Sequence, residues 1–207
     1  MAKLIGISGP QGSGKTTLLN VLDRKIDGVD IDTFKVSRTV QRENNAASLE
    51  DLCSNLESVL KFQNRIIELK IERDEQAIAR HDVDFVIVDR TFIDIIVYTR
   101  MWITQLIGTE PQESFTPSAY RALRDISTKC VSGQEKYSGV IYVPFMEHVP
   151  WDIDPNRANR NLIGEFTEHS SHFIDEIGGE SKNNIYQVTG VSISDRVSEV
   201  IKFIKGI

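Results

Sequence analysis

The chain has 207 residues, of which 40% are apolar and 26% are charged, and its formal net charge is −6. This is ordinary globular composition on a length that suits one domain, so we expect a single domain over residues 1–207. The acidic balance disfavours broad, non-specific binding to nucleic acids, which needs clustered Lys and Arg. No apolar run approaches the length of a membrane span, and the first residues lack the plan of a signal peptide. We therefore expect no membrane partner and a cytoplasmic location, in the host cell if the chain is viral. Cys53 and Cys130 share no metal-like spacing and are expected to be reduced packing thiols.

Apolar, β-branched runs alternate along the chain with helical patterns. The predicted strands are residues 3–8, 28–31, 85–88, 140–143 and 185–189. The predicted helices run from the glycine-rich segment to about residue 25, over 52–81 and 91–106, and around the apolar stripes at 162–177 and 197–204. Prolines predict loops at 108–118 and 144–156. This order predicts an α/β fold, a doubly wound sheet of about five parallel strands with helices on both faces, whose ligands bind at the carboxyl ends of the strands.

The segment after the first predicted strand matches the phosphate-binding pattern G-x-x-x-x-G-K-S/T. Its residues are Gly9, Pro10, Gln11, Gly12, Ser13, Gly14, Lys15 and Thr16, and Thr17 follows. Glycines let backbone N–H groups face a phosphate, and the helix that follows adds the positive end of its dipole. Lys15 is predicted to reach the β- and γ-phosphates, and the Thr16 hydroxyl is predicted to bind Mg²⁺. Residues 9–17 therefore predict a P-loop site for ATP and Mg²⁺.

An acid ends the third predicted strand. Asp89 is followed directly by Arg90 and Thr91, with Asp94 in the next turn. In P-loop proteins such an acid holds the shell of the metal ion, so Asp89 is predicted to join Thr16 there. Arg90 is predicted to clamp the acceptor or the transferring phosphate. A turn aspartate, and an ion pair of Arg90 with Asp94 that is only structural, are the alternatives.

Asp89-Arg90-Thr91 resembles the Asp/Glu-Arg-Ser/Thr motif of the nucleoside and nucleoside-monophosphate kinases of the P-loop superfamily. Phe62-Gln63 stands where deoxynucleoside kinases carry Phe-Gln on a helix, and the overall order is most similar to phage-type (deoxy)nucleotide kinases. The resemblance implies that Gln63 reads the acceptor base and that Phe62 lines its pocket. It also implies that an acid at the end of the second strand, Asp32 or Asp30, acts near the acceptor hydroxyl.

The resemblance further implies a helical lid at about residues 145–165. Arg157 and Arg160 fall in this lid and are expected to close on the phosphates during transfer. Gly190-Val191-Ser192 is expected to contact adenine, with a plain turn as the alternative. In a monophosphate kinase Arg38 would hold the acceptor phosphate, and a solvated surface arginine is the alternative.

The leading hypothesis is an ATP- and Mg²⁺-dependent kinase that phosphorylates a (deoxy)nucleoside monophosphate or a nucleoside, with Asp32 or Asp89 positioning the acceptor oxygen. One alternative keeps the chemistry but acts on a hydroxymethylated base, 5-hydroxymethyluracil, within DNA. Another is a regulatory P-loop ATPase or GTPase switch, although the guanine-reading Asn-Lys-x-Asp motif is absent from the sequence. The identity of the acceptor and the formation of a homodimer stay open at this point.

Overall fold

Strands and helices alternate through the computed structural model, which describes residues 1–23, 25–107, 115–145, 161–177, 182 and 184–207. The strands are β1 (Lys3–Ser8), β2 (Val29–Asp32), β3 (Phe85–Asp89), β4 (Gly139–Tyr142) and β5 (Ile185–Gln187). The helices are α1 (Lys15–Leu22), α2 (Val36–Glu43), α3 (Leu49–Leu52), α4 (Leu56–Ile78), α5 (Phe92–Ile107), α6 (Pro117–Gln134), α7 (Asn161–Ile177) and α8, which is Ile193–Gly206. The five predicted strands are thus confirmed, with ends that differ by one or two residues.

The strands form one parallel sheet in the order β2-β3-β1-β4-β5. The central strand β1 pairs with β3 on one side, where Ile7 lies opposite Asp89, and with β4 on the other, where Ser8 lies opposite Tyr142. The chain reaches β3 before it crosses β1 to form β4, so the strand order reverses at β1. Ligands of open α/β sheets bind at such a reversal, beyond the carboxyl ends of the strands.

Two apolar cores cover the two faces of the sheet. On one face, α1 and α8 pack their buried leucines and valines against Ile5, Ile7 and Ile141. On the other face, side chains of the alternate strand positions Leu4, Val86 and Val140 join the core of α4, α5, α6 and α7. This alternation through covered strands confirms the predicted doubly wound α/β sheet with helices on both faces.

The helices α2, α3 and α6 were not predicted, and one predicted loop is partly wrong. The segment 108–118 was expected to be a loop because it holds two prolines, but α6 begins at Pro117. Thr116 caps this helix by accepting from the Ala119 amide, and proline is well tolerated in the first turn because its missing N–H would have no helical partner. The short helix α2 buries only Val40, which gives too weak an apolar stripe for prediction.

The predicted lid at 145–165 falls largely outside the described residues. Arg157 and Arg160 are not among the described residues, so their expected role stays a prediction. No helix in the described ranges is both long enough and apolar enough to cross a bilayer.

Candidate active site

The loop between β1 and α1 has the backbone shape of a phosphate cradle. Gly9, Gly12 and Gly14 have φ angles of 141°, 82° and 90°, which other residues rarely adopt. A Cβ on Gly9 would lie 2.1 Å from the carbonyl oxygen of Val143, so the loop also packs tightly against the residue that follows β4. Gly14 is the last residue before α1, and the amides of the first helical turn therefore face the mouth of the loop.

Lys15 lies inside this cradle. Its side chain is buried, and Nζ donates to the carbonyl oxygens of Gly9 at 2.7 Å and Pro10 at 2.6 Å, and to Ser13 Oγ at 3.2 Å. A phosphate that enters the loop exchanges these bonds for stronger bonds between the ammonium and anionic oxygens. The geometry thus holds the cation within the loop before a ligand binds.

Arg90 connects the end of β3 to the phosphate loop. Its Nη1 donates to the Gly9 carbonyl oxygen at 2.8 Å and to Asp94 Oδ1 at 2.6 Å, and its guanidinium lies 5.5 Å from the centre of the Tyr98 ring. Asp94 is 3% exposed and also accepts from the Thr91 amide. The ion pair with Asp94, which was the alternative to a phosphate clamp, is therefore present, and Arg90 contacts the phosphate loop at the same time.

Thr16 and Asp89, the two residues predicted to bind Mg²⁺, carry oxygen donors of the kind that this ion prefers. Thr16 is exposed in the first turn of α1, and Asp89 ends β3 in register with Ile7, two residues before Gly9. Among the described residues no group of three or more His, Cys, Asp or Glu side chains could hold a metal ion. Mg²⁺ does not need such a cage, because it usually keeps several waters and binds one or two protein groups together with substrate phosphates. One hydroxyl and one carboxylate beside a phosphate cradle fit that ion.

Asp32 ends β2 at a small cleft next to Asp89. Its Oδ2 accepts from Arg73 Nη2 at 2.6 Å, its Oδ1 accepts from the Phe34 amide at 2.9 Å, and the Arg73 guanidinium stacks 4.5 Å from the Phe34 ring centre. Asp30 pairs instead with Arg80, away from the cleft. The structure thus places Asp32, of the two candidate acids, in the same cleft as Asp89.

A buried polar network forms the inner wall of the same cleft. Lys70 Nζ donates to Asp74 Oδ1 at 2.5 Å, and the Tyr137 hydroxyl donates to Asp74 Oδ2 at 2.7 Å. Burial lowers the pKa of Lys70 against the opposing effect of Asp74, and burial next to Asp74 raises the pKa of Tyr137 well above its ordinary value.

Gln63 and Phe62 are both buried near the start of α4. Oε1 of Gln63 accepts no hydrogen bond from any residue that the structure describes. A buried amide oxygen without a partner is rare in a folded protein, and a bound water, an ion or a ligand can complete its hydrogen bonding. Arg38, in contrast, lies on the exposed side of α2, where Nη1 donates to Gln41. The structure therefore does not bring Arg38 to the cleft.

Arg196 on α8 joins two loops at the other side of the phosphate cradle. The side chain is 3% exposed, and it donates from Nη1 to the Ser13 carbonyl oxygen at 3.0 Å and from Nε to the Gly190 carbonyl oxygen at 2.8 Å. Glu199 holds the same Gly190 loop through the amide and hydroxyl of Thr189. The loop expected to contact adenine is thus tied to the loop expected to bind phosphate.

A protein-family model described as an AAA domain matches residues 4–167, which is most of the chain. The chain belongs to the AAA domain family. A search of curated proteins found no match.

Solved structures show how this AAA domain chain folds relative to known proteins. NadR in complex with NR is 17% identical with a TM-score of 0.68, and the match covers 99% of this chain and 50% of that chain, so this chain spans about half of NadR. Thymidylate kinase from Candida albicans is 18% identical, with coverage of 99% and 92% and a TM-score of 0.62. Deoxyadenosine kinase from M. mycoides with bound dATP is 14% identical, with coverage of 97% and 98% and a TM-score of 0.67. The chain therefore has the fold of P-loop NTPases and nucleotide kinases.

Three cations near the site of this AAA domain chain were not predicted from the sequence, because tertiary structure decides where they lie. Arg73 and Lys70 reach the cleft from α4, and Arg196 reaches the phosphate loop from α8. Spacing offered one signal for Lys70, which precedes Asp74 by one helical turn. No local signal marks the contact of Arg73 with Asp32 or that of Arg196 with Ser13, because these partners lie 41 and 183 residues away in sequence.

Proposed function

We propose that this protein is an ATP- and Mg²⁺-dependent kinase that transfers the γ-phosphate to a (deoxy)nucleoside or its monophosphate. The observation that carries the proposal is the bond of Arg90 to the Gly9 carbonyl oxygen. Through this bond the Asp-Arg-Thr segment at the end of β3 contacts the phosphate loop. The same segment begins at Asp89, which lines the small cleft that also contains Asp32.

In this proposal Gly9, Pro10, Gln11, Gly12, Ser13, Gly14, Lys15, Thr16 and Thr17 form the ATP site. Lys15 neutralises charge on the terminal phosphates, and Arg90 stabilises the charge that spreads over the transferring group. Thr16 and Asp89 would hold Mg²⁺, which would screen the charge of the phosphate oxygens.

Asp32 orients the acceptor oxygen, because its carboxylate lines the cleft next to Asp89. Gln63 offers a buried amide oxygen whose bond a base edge would complete. Phe62, buried on the same turn of α4, supplies apolar surface for the base. Arg157 and Arg160 keep their predicted role as lid cations that close on the phosphates.

The test is release of ADP from Mg·ATP in the presence of a panel of nucleosides, nucleoside monophosphates and DNA that contains 5-hydroxymethyluracil. The wild-type protein should release ADP only with an acceptor, and Lys15→Ala should lose at least about 100-fold in rate, the magnitude of one lost electrostatic contact. Lys25→Ala, at an exposed lysine just beyond α1, is the matched control and should keep full activity. Equal turnover by Lys15→Ala and the wild type would reject the proposal.

A regulatory P-loop ATPase is the second candidate, and the match to an AAA domain model favours it. The two functions differ in one measurement. An ATPase releases inorganic phosphate without any acceptor, whereas a kinase leaves the phosphate on its acceptor and releases only ADP. Phosphate release at the same rate with and without every member of the panel would select the ATPase.

A further inference from the structure

Tyr98 on α5 lies against the arginine that the proposed reaction uses. The guanidinium carbon Cζ of Arg90 is over the Tyr98 ring, 5.5 Å from its centre, which is within the range of a cation–π contact. The ring is partly buried and packs against the core of α4, α5, α6 and α7. Burial raises the pKa of the Tyr98 hydroxyl while the charge of Arg90 opposes this shift, so the two side chains also interact electrostatically. No step of the proposed reaction assigns a role to this ring.

The hydrogen bonds of Arg90 fix the position of its guanidinium better than its tilt. The bonds to the Gly9 carbonyl oxygen and to Asp94 Oδ1 both leave from the same nitrogen, Nη1. Because hydrogen bonds tolerate about 30° of misalignment, the opposite edge of the guanidinium can still swing. A planar guanidinium stacks on aromatic rings, and the Tyr98 ring limits this swing on the side that it covers. The Arg90 side chain stays 33% exposed, so phosphate oxygens can still reach it.

Phe166 of α7 holds the Tyr98 ring in turn. The two ring centroids are 5.2 Å apart with their planes tilted by 59°, and Phe166 is only 1% exposed. A ring packed against a buried ring moves little, because movement would open a void in a close-packed core. The surface that Tyr98 presents to Arg90 is therefore a fixed part of the helical scaffold and not of the phosphate loop.

We propose that Tyr98 is a positioning residue for phosphoryl transfer, which keeps the guanidinium of Arg90 at the tilt in which it bonds the oxygens of the transferring group. The inference rests on the proposed kinase function, in which Arg90 stabilises the charge of that group. Tyr98 itself takes no proton and touches no reacting atom. Two-pronged bonding of phosphate by arginine depends on the plane of the guanidinium, whereas the phosphate loop supplies most of the contacts that bind ATP. Loss of the ring should therefore slow transfer and leave the affinity for ATP nearly unchanged.

The experiment measures two quantities, the single-turnover rate of transfer from Mg·ATP to the acceptor that the panel identifies, and the Kd for a non-hydrolysable ATP analogue with Mg²⁺. Tyr98→Leu removes the ring but keeps an apolar side chain, and it should slow transfer by at least about tenfold while changing the Kd by less than about twofold. Tyr98→Phe keeps a ring over the guanidinium and should retain a rate within about threefold of the wild type. Tyr120→Leu, at an exposed tyrosine on α6, is the matched control and should equal the wild type in both quantities.

A double substitution separates positioning from packing. Arg90→Lys keeps a cation beside Asp94 but replaces the planar guanidinium by a point charge, which has no plane for a ring to orient. If Tyr98 acts through Arg90, Tyr98→Leu should slow transfer by less than about threefold in this background, against at least about tenfold in the wild type. A ring that only packs would cost the same factor in both backgrounds. Tyr98→Met, whose flexible side chain fills irregular gaps, serves the same comparison if thermal unfolding shows the leucine variant to be unstable.

Three results would overturn the inference and leave the kinase function standing: a wild-type rate for Tyr98→Leu, a parallel loss of rate and ATP affinity, or equal factors in the two backgrounds. Absence of transfer to every acceptor by the wild type would instead reject the kinase function, and the inference with it.

Discussion

Arg90 holds a backbone conformation that L-amino acids seldom adopt. Its φ is 78°, in the left-handed region, where a side chain costs about 1 kcal/mol or more. The turn lets the Arg90 amide donate to the Ile7 carbonyl oxygen while the guanidinium reaches Gly9. Strain at a residue with two such contacts is typical of functional sites, because the contacts hold a group in place that the backbone alone would not.

Asp89 offers the most direct test of the metal site. Asp89→Asn removes the carboxylate that ends β3 and leaves an amide of similar shape, so we expect a lower kcat and a higher Mg²⁺ concentration for half-maximal rate. The measurement is a Mg²⁺ titration at saturating ATP. Asp27→Asn, at an exposed aspartate before β2, should not shift the titration. A wild-type titration curve for Asp89→Asn would make Asp89 a turn residue.

The buried thiol of Cys130 should make the stability of the protein depend on pH in the alkaline range. The thiol is fully buried on α6, and burial raises its pKa from 9.0 to about 12. The raised pKa means that the folded chain binds the thiol proton more tightly than the unfolded chain does. The stability that this difference contributes is fully present below pH 9. It is lost between pH 9 and about pH 12, by up to about 1.4 kcal/mol in the free energy of unfolding per pH unit.

Urea unfolding at several pH values checks this expectation in the wild type and in Cys130→Ala. The difference between the two proteins isolates the thiol, since the buried tyrosines titrate in both. The free energy of unfolding should fall more steeply above pH 9 in the wild type. Parallel curves would show that the thiol ionises equally in the folded and unfolded chains.

At the scale of single residues, the sequence predicted the contacts that are local. Arg90 and Asp94 lie one helical turn apart, so spacing alone brings their side chains together. The partners of Arg38 were not predictable in the same way. Whether an exposed helix presents its arginine to a cleft or to solvent depends on how the helix packs, and α2 buries only Val40.

Within α4, the pair of Lys70 and Asp74 is nearly removed from water, with side chains 4% and 0% exposed. Lys70→Met leaves the Asp74 carboxylate buried without its cation, and we expect a loss of about 3–5 kcal/mol in the free energy of unfolding. Adding Asp74→Asn should restore most of this loss, because the amide oxygen still accepts from Tyr137 without a charge.

Urea unfolding measures both variants, and Lys136→Met is the control. Lys136 pairs with Glu75 at 3.0 Å on the surface, where such pairs contribute only about 0–1 kcal/mol. If the double variant were as unstable as Lys70→Met, the loss would come from packing of the lysine stem and not from the unpaired charge.

The helix α8 controls the relative position of two loops through Arg196. Arg196→Met removes its bonds to Ser13 and Gly190, so we expect about a tenfold rise in KM for ATP, with kcat and the KM of the acceptor nearly unchanged. Arg196→Lys reaches only one of the two carbonyls and should recover part of the affinity.

Steady-state kinetics with ATP as the varied substrate checks this prediction. Lys202→Met, on the exposed side of α8, provides the control. A purely structural role for Arg196 would lower kcat and both KM values together, or lower only the thermal stability, and Arg196→Lys would then give no selective recovery.

At the scale of elements, strong apolar patterns were predictable and weak ones were not. The stripe of α4 was visible in the sequence, but the break between α3 and α4 depends on the Asn55 cap, which accepts from the Ser58 amide. The start of α6 was concealed because Pro117 indicates a loop or a first helical turn equally well. The strand order β2-β3-β1-β4-β5 follows from long-range pairing, which no local pattern encodes.

For the whole molecule, binding of a nucleotide across the centre of the sheet should be visible in thermal unfolding. A non-hydrolysable ATP analogue with Mg²⁺, at about 100 times its Kd, adds about 2.7 kcal/mol to the free energy of unfolding, which corresponds to a rise of about 5–11 °C in Tm for a chain of this size. The rise should shrink when EDTA removes Mg²⁺ and should disappear in Lys15→Ala. An equal rise in that variant would place the nucleotide elsewhere.

The two apolar cores separate the two halves of the proposed reaction. The helices α1 and α8, with Lys15 and Arg196, share the core on one face, while α4, with Gln63 and Arg73, belongs to the core on the other. The sheet therefore separates the packing around the proposed acceptor cleft from the packing around the phosphate loop. Arg90, which follows β3 and donates to Gly9, connects the two regions. Such an arrangement favours evolvability: selection can reshape one face of the sheet for a new acceptor while the other face is inherited unchanged.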